Sequence, residues 1–182
     1  MPDFTSPNVG NYAVFKGNVY FTKAGADPIT GRRHMGNCTA FEFEPAVEVL
    51  EHFSSMTGVR SKDYTVVLEK SGTINVTLEE MTAENMALML LGEIVTDSDG
   101  NKAIDILSED LIRGRLEIIG SNDVGPKWDF NYPSVAFRPN GSINSIAEDD
   151  WSAIELTGEV EMVNGIAGRA TLQDSAVSEP VS

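Results

Sequence analysis

The densest run of side chains able to do chemistry is Asp97-Ser98-Asp99-Gly100-Asn101. Asp97, Asp99 and Asn101 occupy the first, third and fifth places of a calcium-loop pattern, where oxygen ligands are required. That pattern also needs Gly at the sixth place and Glu at the twelfth, and the chain has Lys102 and Ser108 there. The run therefore reads as a polar turn. His34 and His52 are the only histidines and Cys38 the only cysteine, with no metal-ligand spacing among them. One histidine is expected at the surface and one on a sheet face. Cys38 with His52 would be a nucleophile and a base, but no orienting group or oxyanion element accompanies them. Gly165 to Gly168 lacks the Lys-Ser/Thr of a phosphate loop. Glu148-Asp149-Asp150 has the residue types of a paired-carboxylate hydrolase but reads as a solvated acidic turn. Trp128, Tyr132 and Trp151 would suit a sugar platform, and packing in a core or an interface is the simpler reading. The expectation is no catalytic residue, no metal, no cofactor and no enzymatic activity.

At 182 residues and 19.7 kDa the chain fits one domain, and 41% hydrophobic residues supply a core. Acidic residues outnumber basic ones 28 to 13, a net charge of −15. Such a chain repels nucleic acid and anionic membranes, and it self-associates only through specific contacts. A lone cysteine fits a reducing compartment. Met1 to Gly10 has neither a basic cluster nor an apolar core, so no secretory signal is expected. The longest apolar run, Met86 to Leu91, is far too short to span a bilayer.

The elements are read mainly from period-two alternation. Residues 1–10 form a flexible N-terminal arm, 11–163 a single β domain, and 164–182 a flexible tail. Tyr12 to Thr22 reads as a strand pair about Gly17-Asn18, and Gly25 to Gly36 as a loop carrying Arg32-Arg33-His34. Phe41, Phe43, Val47 and Val49 share one parity of a strand over 39–52, and Glu42, Glu44 and Glu48 share the other. Pro45 implies a bulge or an edge position. Tyr64 to Glu69 and Ile74 to Glu79 read as a hairpin turning at Lys70-Ser71-Gly72. Thr82 then N-caps a helix that stops at Gly92, with Met86, Leu88, Met89, Leu90 and Leu91 as its buried core. Further strands are expected over 111–119 and 151–162, and Trp128 to Phe137 between them is an aromatic-rich segment containing Pro133. A sheet with one apolar face and one acidic, non-adhesive face suits a wall, and so a structural protein that lines something.

Three segments carry a family resemblance. The first is Gly36 to Gly58, with Glu51-His52-Phe53-Ser54-Ser55. The second is Lys62-Asp63 through Leu90-Leu91-Gly92. The third is Val135-Ala136-Phe137-Arg138-Pro139 through Leu156-Thr157-Gly158-Glu159. In this order the chain resembles the major tail tube proteins of long-tailed, non-contractile bacteriophages.

The resemblance implies a mainly-β, sandwich or barrel-like fold flanked by one short α-helix. It also implies a virion protein, assembled in the host cytoplasm. Its subunits form six-membered rings that stack into a tube, which holds the tape measure protein, meets terminator and tail tip proteins, and then passes DNA without binding it. No membrane partner is implied. A lumen that repels phosphate should be acidic, so Glu42, Glu44 and Glu48 are expected to face it, with Glu69 and Glu79 as further candidates. Arg32 and Arg33 are candidates for contacts between rings. A terminator or hub ring protein of similar fold and a monomeric β-sandwich binding module are the alternatives.

Overall fold

A computed structural model describes residues 7–56, 58–143, 145–146 and 151–173. The architecture is mainly β with one short helix. In chain order the strands are β1 (Gly17–Lys23), β2 (Arg33–His34), β3 (Cys38–Ser54) and β4 (Ser61–Leu78). After α1 (Ala83–Leu90) come β5 (Glu93–Thr96), β6 (Lys102–Asp105), β7 (Ile112–Gly120), β8 (Trp128–Pro139), β9 (Ile154–Val160) and β10 (Arg169–Leu172). The main sheet runs β2-β1-β7-β8-β9-β4-β3, all antiparallel, and β5 pairs with β6 apart from it.

Alternation explains which face is buried. Ile74, Val76 and Leu78 of β4 and Ile154, Leu156 and Val160 of β9 point into the core, while Thr73, Asn75, Thr77, Glu155, Thr157 and Glu159 take the opposite parity. On β8 the buried parity switches from Tyr132 to Val135 and Phe137. The switch coincides with a register shift against β7 between Gly114 and Leu116, as a bulge requires. The sheet curls over its apolar face. Phe41 and Phe43 of β3 meet Tyr132 of β8, with ring centroids 6.3 and 5.3 Å apart, although two strands separate β3 from β8 in the sheet.

α1 packs on the curled face. The Thr82 hydroxyl accepts a hydrogen bond from the Asn85 N–H at 3.2 Å, which satisfies one of the helix's free donors. Leu88 and Met89 are buried, and Met86, Leu90 and Leu91 are half-buried. Asn85 is fully buried and satisfied: its amide donates to the Met35 and Glu80 carbonyls and accepts from Arg33. The left-handed cap falls on Leu91 (φ 46°), not on Gly92. Gly92 is needed for a different reason. A Cβ there would lie 2.5 Å from Ile104 Cγ2 and 2.6 Å from the Asp105 carbonyl oxygen. We expect Gly92→Ala to destabilise the fold by about 1–3 kcal/mol, the usual cost of overpacking, read as a lowered midpoint in thermal unfolding.

Several expectations are corrected. Lys70-Ser71-Gly72 is not a turn: β4 runs straight through it, paired with Val47, Ala46 and Pro45 of β3. Gly72 lies there because the Phe43 ring passes 2.5 Å from where a Cβ would sit. The chain reverses instead between Ser54 and Ser61, where Gly58 takes φ 80°. Gly17-Asn18 is likewise no turn but the start of β1, with Gly17 packed close to Ile118 and Ile119. The 25–36 loop contains β2. The edge position expected from Pro45 is met, since β3 is the edge strand and no register shift falls at Pro45. The segment after Asn164 is not simply a tail, since β10 pairs with Trp128–Asn131 of β8. The end of the expected tail (174–182), the start of the N-terminal arm (1–6) and Glu148-Asp149-Asp150 lie outside the described residues.

Candidate assembly surface

The pairing of β4 with β9 ends at Thr73, whereas β3 and β4 remain paired out to Ser54 and Ser61. Residues 46–54 and 61–71 therefore leave the body as a two-stranded ribbon. At roughly 3.3 Å per residue it extends about 30 Å, beyond a body whose radius of gyration is expected to be about 15 Å. Neither edge of this ribbon has a strand partner among the described residues.

Both faces of the ribbon carry exposed apolar side chains. The register places Val49 opposite Val67 on one face and Leu50 opposite Val66 on the other. Val47, Leu50, Tyr64 and Val67 are all at least half exposed. A register shift after Glu48 leaves Leu68 as the extra residue of β4, which puts Val67 and Glu69, two residues apart, on opposite faces. An isolated two-stranded hairpin is marginal in water, and this one leaves its apolar groups uncovered. Phe53 is partly covered by Arg60, whose guanidinium lies 4.8 Å from the ring centroid. Near the tip, Lys62 meets Glu51 at 2.8 Å and His52 Nδ1 meets Asp63 at 2.6 Å, exposed pairs of small energetic weight.

The second surface is the polar face of the body. Glu42 and Glu44 are exposed there, opposite Asn75 and Thr73. The face continues through Glu155, Thr157 and Glu159 to Arg138, which pairs with Glu159 at 3.1 Å. The Thr157 hydroxyl donates to Asn75 at 2.9 Å. Arg113 and Ser134 both bond Glu161, holding its carboxyl below the usual glutamate range.

The glutamates expected to act together are divided. Glu42 and Glu44 share the polar face, but Glu48 lies out on the ribbon directly opposite Glu69. Glu79 sits past the end of β4 and accepts from the Asn37 amide at 2.5 Å. Parity along β3 was read correctly, and only the length of the ribbon separates Glu48 from the other two. The arginines expected to reach outward have partners within the subunit. Arg32 meets Glu117 at 2.8 Å and lies 3.7 Å from the Tyr20 ring centroid. Arg33 bonds Asn85 at 2.7 Å and the Glu84 carbonyl at 3.3 Å, and burial lowers its pKa.

Cys38 and His52 stand at opposite ends of β3, roughly 45 Å apart at strand rise. They are not brought together. Burial pushes the Cys38 thiol up, and it donates to the Ala40 carbonyl. His34 bonds locally to Gly36 and Asn18. The Asp97 carboxylate accepts from the backbone N–H groups of Asp99 and Asn101, which closes the β5–β6 turn and lowers its pKa. Trp128 and Tyr132 line a common groove, while Trp151 is 90% exposed. That groove holds about 450 Å³ and is lined by Phe15, Phe41, Phe43, Trp128, Phe130 and Tyr132, with Cys38 in its wall. Sequence reasoning missed both the ribbon and the groove. The ribbon's only local signal was Gly58 between two long alternating runs.

A search of the curated proteins gives no match. A protein-family profile matches residues 12–124, a span that runs from before β1 past the end of β7 and includes the whole ribbon and α1. The chain belongs to the family described as "Protein of unknown function UCP028589".

Proposed function

We propose that this chain is a non-enzymatic structural subunit that assembles with copies of itself into stacked hexameric rings, forming a phage tail tube through which DNA passes. The observation that carries the reading is the ribbon, with two free edges and two uncovered apolar faces. Such a surface favours strand addition and apolar burial against another chain. A heterologous contact of this kind closes into rings or extends into filaments. The polar face around Glu42, Glu44, Glu155 and Glu159 supports a lumen that repels phosphate. In this reading the tape measure protein occupies the lumen before DNA does, and terminator and tip proteins bound the tube.

Electron microscopy of the purified protein over a range of concentration and salt tests the reading. Hollow rings stacked into tubes are expected. Single rings that never stack would indicate a terminator-like role, and monomers at every concentration, with glycan-sensitive Trp fluorescence, would indicate a binding module. Within the tube reading, Glu42→Lys with Glu44→Lys should leave rings intact, because both side chains are exposed, and should slow DNA passage. Normal ejection by phage carrying this pair would remove the two glutamates from the lumen.

A further inference from the structure

We infer that the aromatic groove beside Cys38 is the seat for the ribbon of a second copy of this chain, an inference that rests on the assembly reading above. Two apolar surfaces of one molecule are left uncovered. They cannot cover each other within that molecule, because the ribbon leads about 30 Å away from the body at strand rise, while the groove's wall is the opposite end of β3.

Charge selects a second copy as the occupant. Residues 46–71 carry four acidic and three basic side chains, which leaves fourteen of the fifteen net negative charges on the rest of the chain. Body-to-body approach is repulsive, and the ribbon is the part another body repels least. The local charges are also complementary. Glu48 and Glu69 face each other on the ribbon, and neither has a cation within salt-bridge distance among the described residues. Lys16 lines the groove, and Lys127 adjoins Trp128 of the lining. Lys16 is paired with Asp123 at 3.0 Å, both largely exposed, and Lys127 acts on the same carboxylate from beyond salt-bridge distance, so one acidic group stands against two cations. Seating the ribbon would bring two cations towards an opposed pair of carboxylates that otherwise repel across the strands.

The single cysteine gives a direct test, since it already stands in the groove wall. Cysteines are placed one at a time at ribbon positions (Val49→Cys, Leu50→Cys and Val67→Cys), and assembled particles are treated with a mild thiol oxidant. Expected is an intermolecular disulfide joining Cys38 of one copy to the ribbon cysteine of the next, abolished by Cys38→Ser. In parallel, Trp151→Phe leaves Trp128 as the only tryptophan, and assembly should reduce its quenching by acrylamide at least threefold. Disulfides only between ribbon cysteines, with Trp128 as accessible in particles as in free subunits, would overturn the seat while leaving assembly standing. Absence of particles from the unmodified chain would instead overturn the assembly reading beneath it.

Discussion

Excising residues 46–71 and joining Pro45 to Gly72 through Asn-Gly should give a folded protein that no longer assembles. The fold is expected to survive because the ribbon contributes none of the buried core: that core comes from β1, β4 beyond Thr73, β7, β8, β9, α1 and Met35. Pro45 and Gly72 are already cross-strand neighbours, and Asn-Gly suits a two-residue hairpin turn. The loss to assembly is large. Each Val or Leu side chain fully withdrawn from water contributes roughly 1.5–3 kcal/mol. Losing two such contacts per interface therefore weakens association by about 10²–10⁴-fold. If the parent assembles as proposed, analytical ultracentrifugation of the excised chain should show monomer under the conditions in which the parent forms rings or tubes, with cooperative thermal unfolding retained. Tubes of normal appearance from the excised chain would refute the ribbon's role.

Leu88→Asp should abolish folding rather than assembly. Leu88 is 2% exposed and belongs to the hydrophobic core, on a helix that packs against β8 and β9. Aspartate there forfeits the leucine's burial and either places an unpaired charge in an apolar site or must be protonated to avoid it. We expect a loss above about 4 kcal/mol, a large part of the 5–15 kcal/mol that holds a domain together. Leu88→Ala should cost about 2–5 kcal/mol, the range for truncating a buried leucine, and should remain folded in the cold. Urea unfolding separates the two variants. A folded Leu88→Asp protein would mean that α1 can leave the sheet without unfolding it.

The legible and illegible parts of the fold divide by the range of the forces that set them. Helix α1 was readable because Thr82, Glu84 and the run Met86 to Leu91 act within a few residues of one another. Strand β9 was readable from alternation alone, and β7 from the apolar residues Leu116, Ile118 and Ile119. The hairpin was misplaced because Gly72 looks like a turn glycine in sequence, and its actual reason is the Phe43 ring from the neighbouring strand. Gly17 misled in the same way, through Ile118 and Ile119 about a hundred residues later. β10 has no strong alternation, all four of its residues are exposed, and it exists because β8 offers an open edge beside Trp128–Asn131. Of the candidate surface, the facing of Glu42 and Glu44 was legible from parity. The division of Glu48 from them was not, since parity carries no information on where the rest of a sheet ends.

In the proposed assembly, the ribbon's reach would also set the order of events when two subunits meet. Charges in solution at physiological salt are screened over about 8 Å, and over about 10 Å at 0.1 M. A near-neutral apolar ribbon extending about 30 Å at strand rise ends well outside the ionic atmosphere of its own acidic body. An approaching subunit would therefore touch the ribbon before it senses the body's repulsion. The ribbon would widen the target for capture, and the repulsive bodies would align afterwards, on a tether already made.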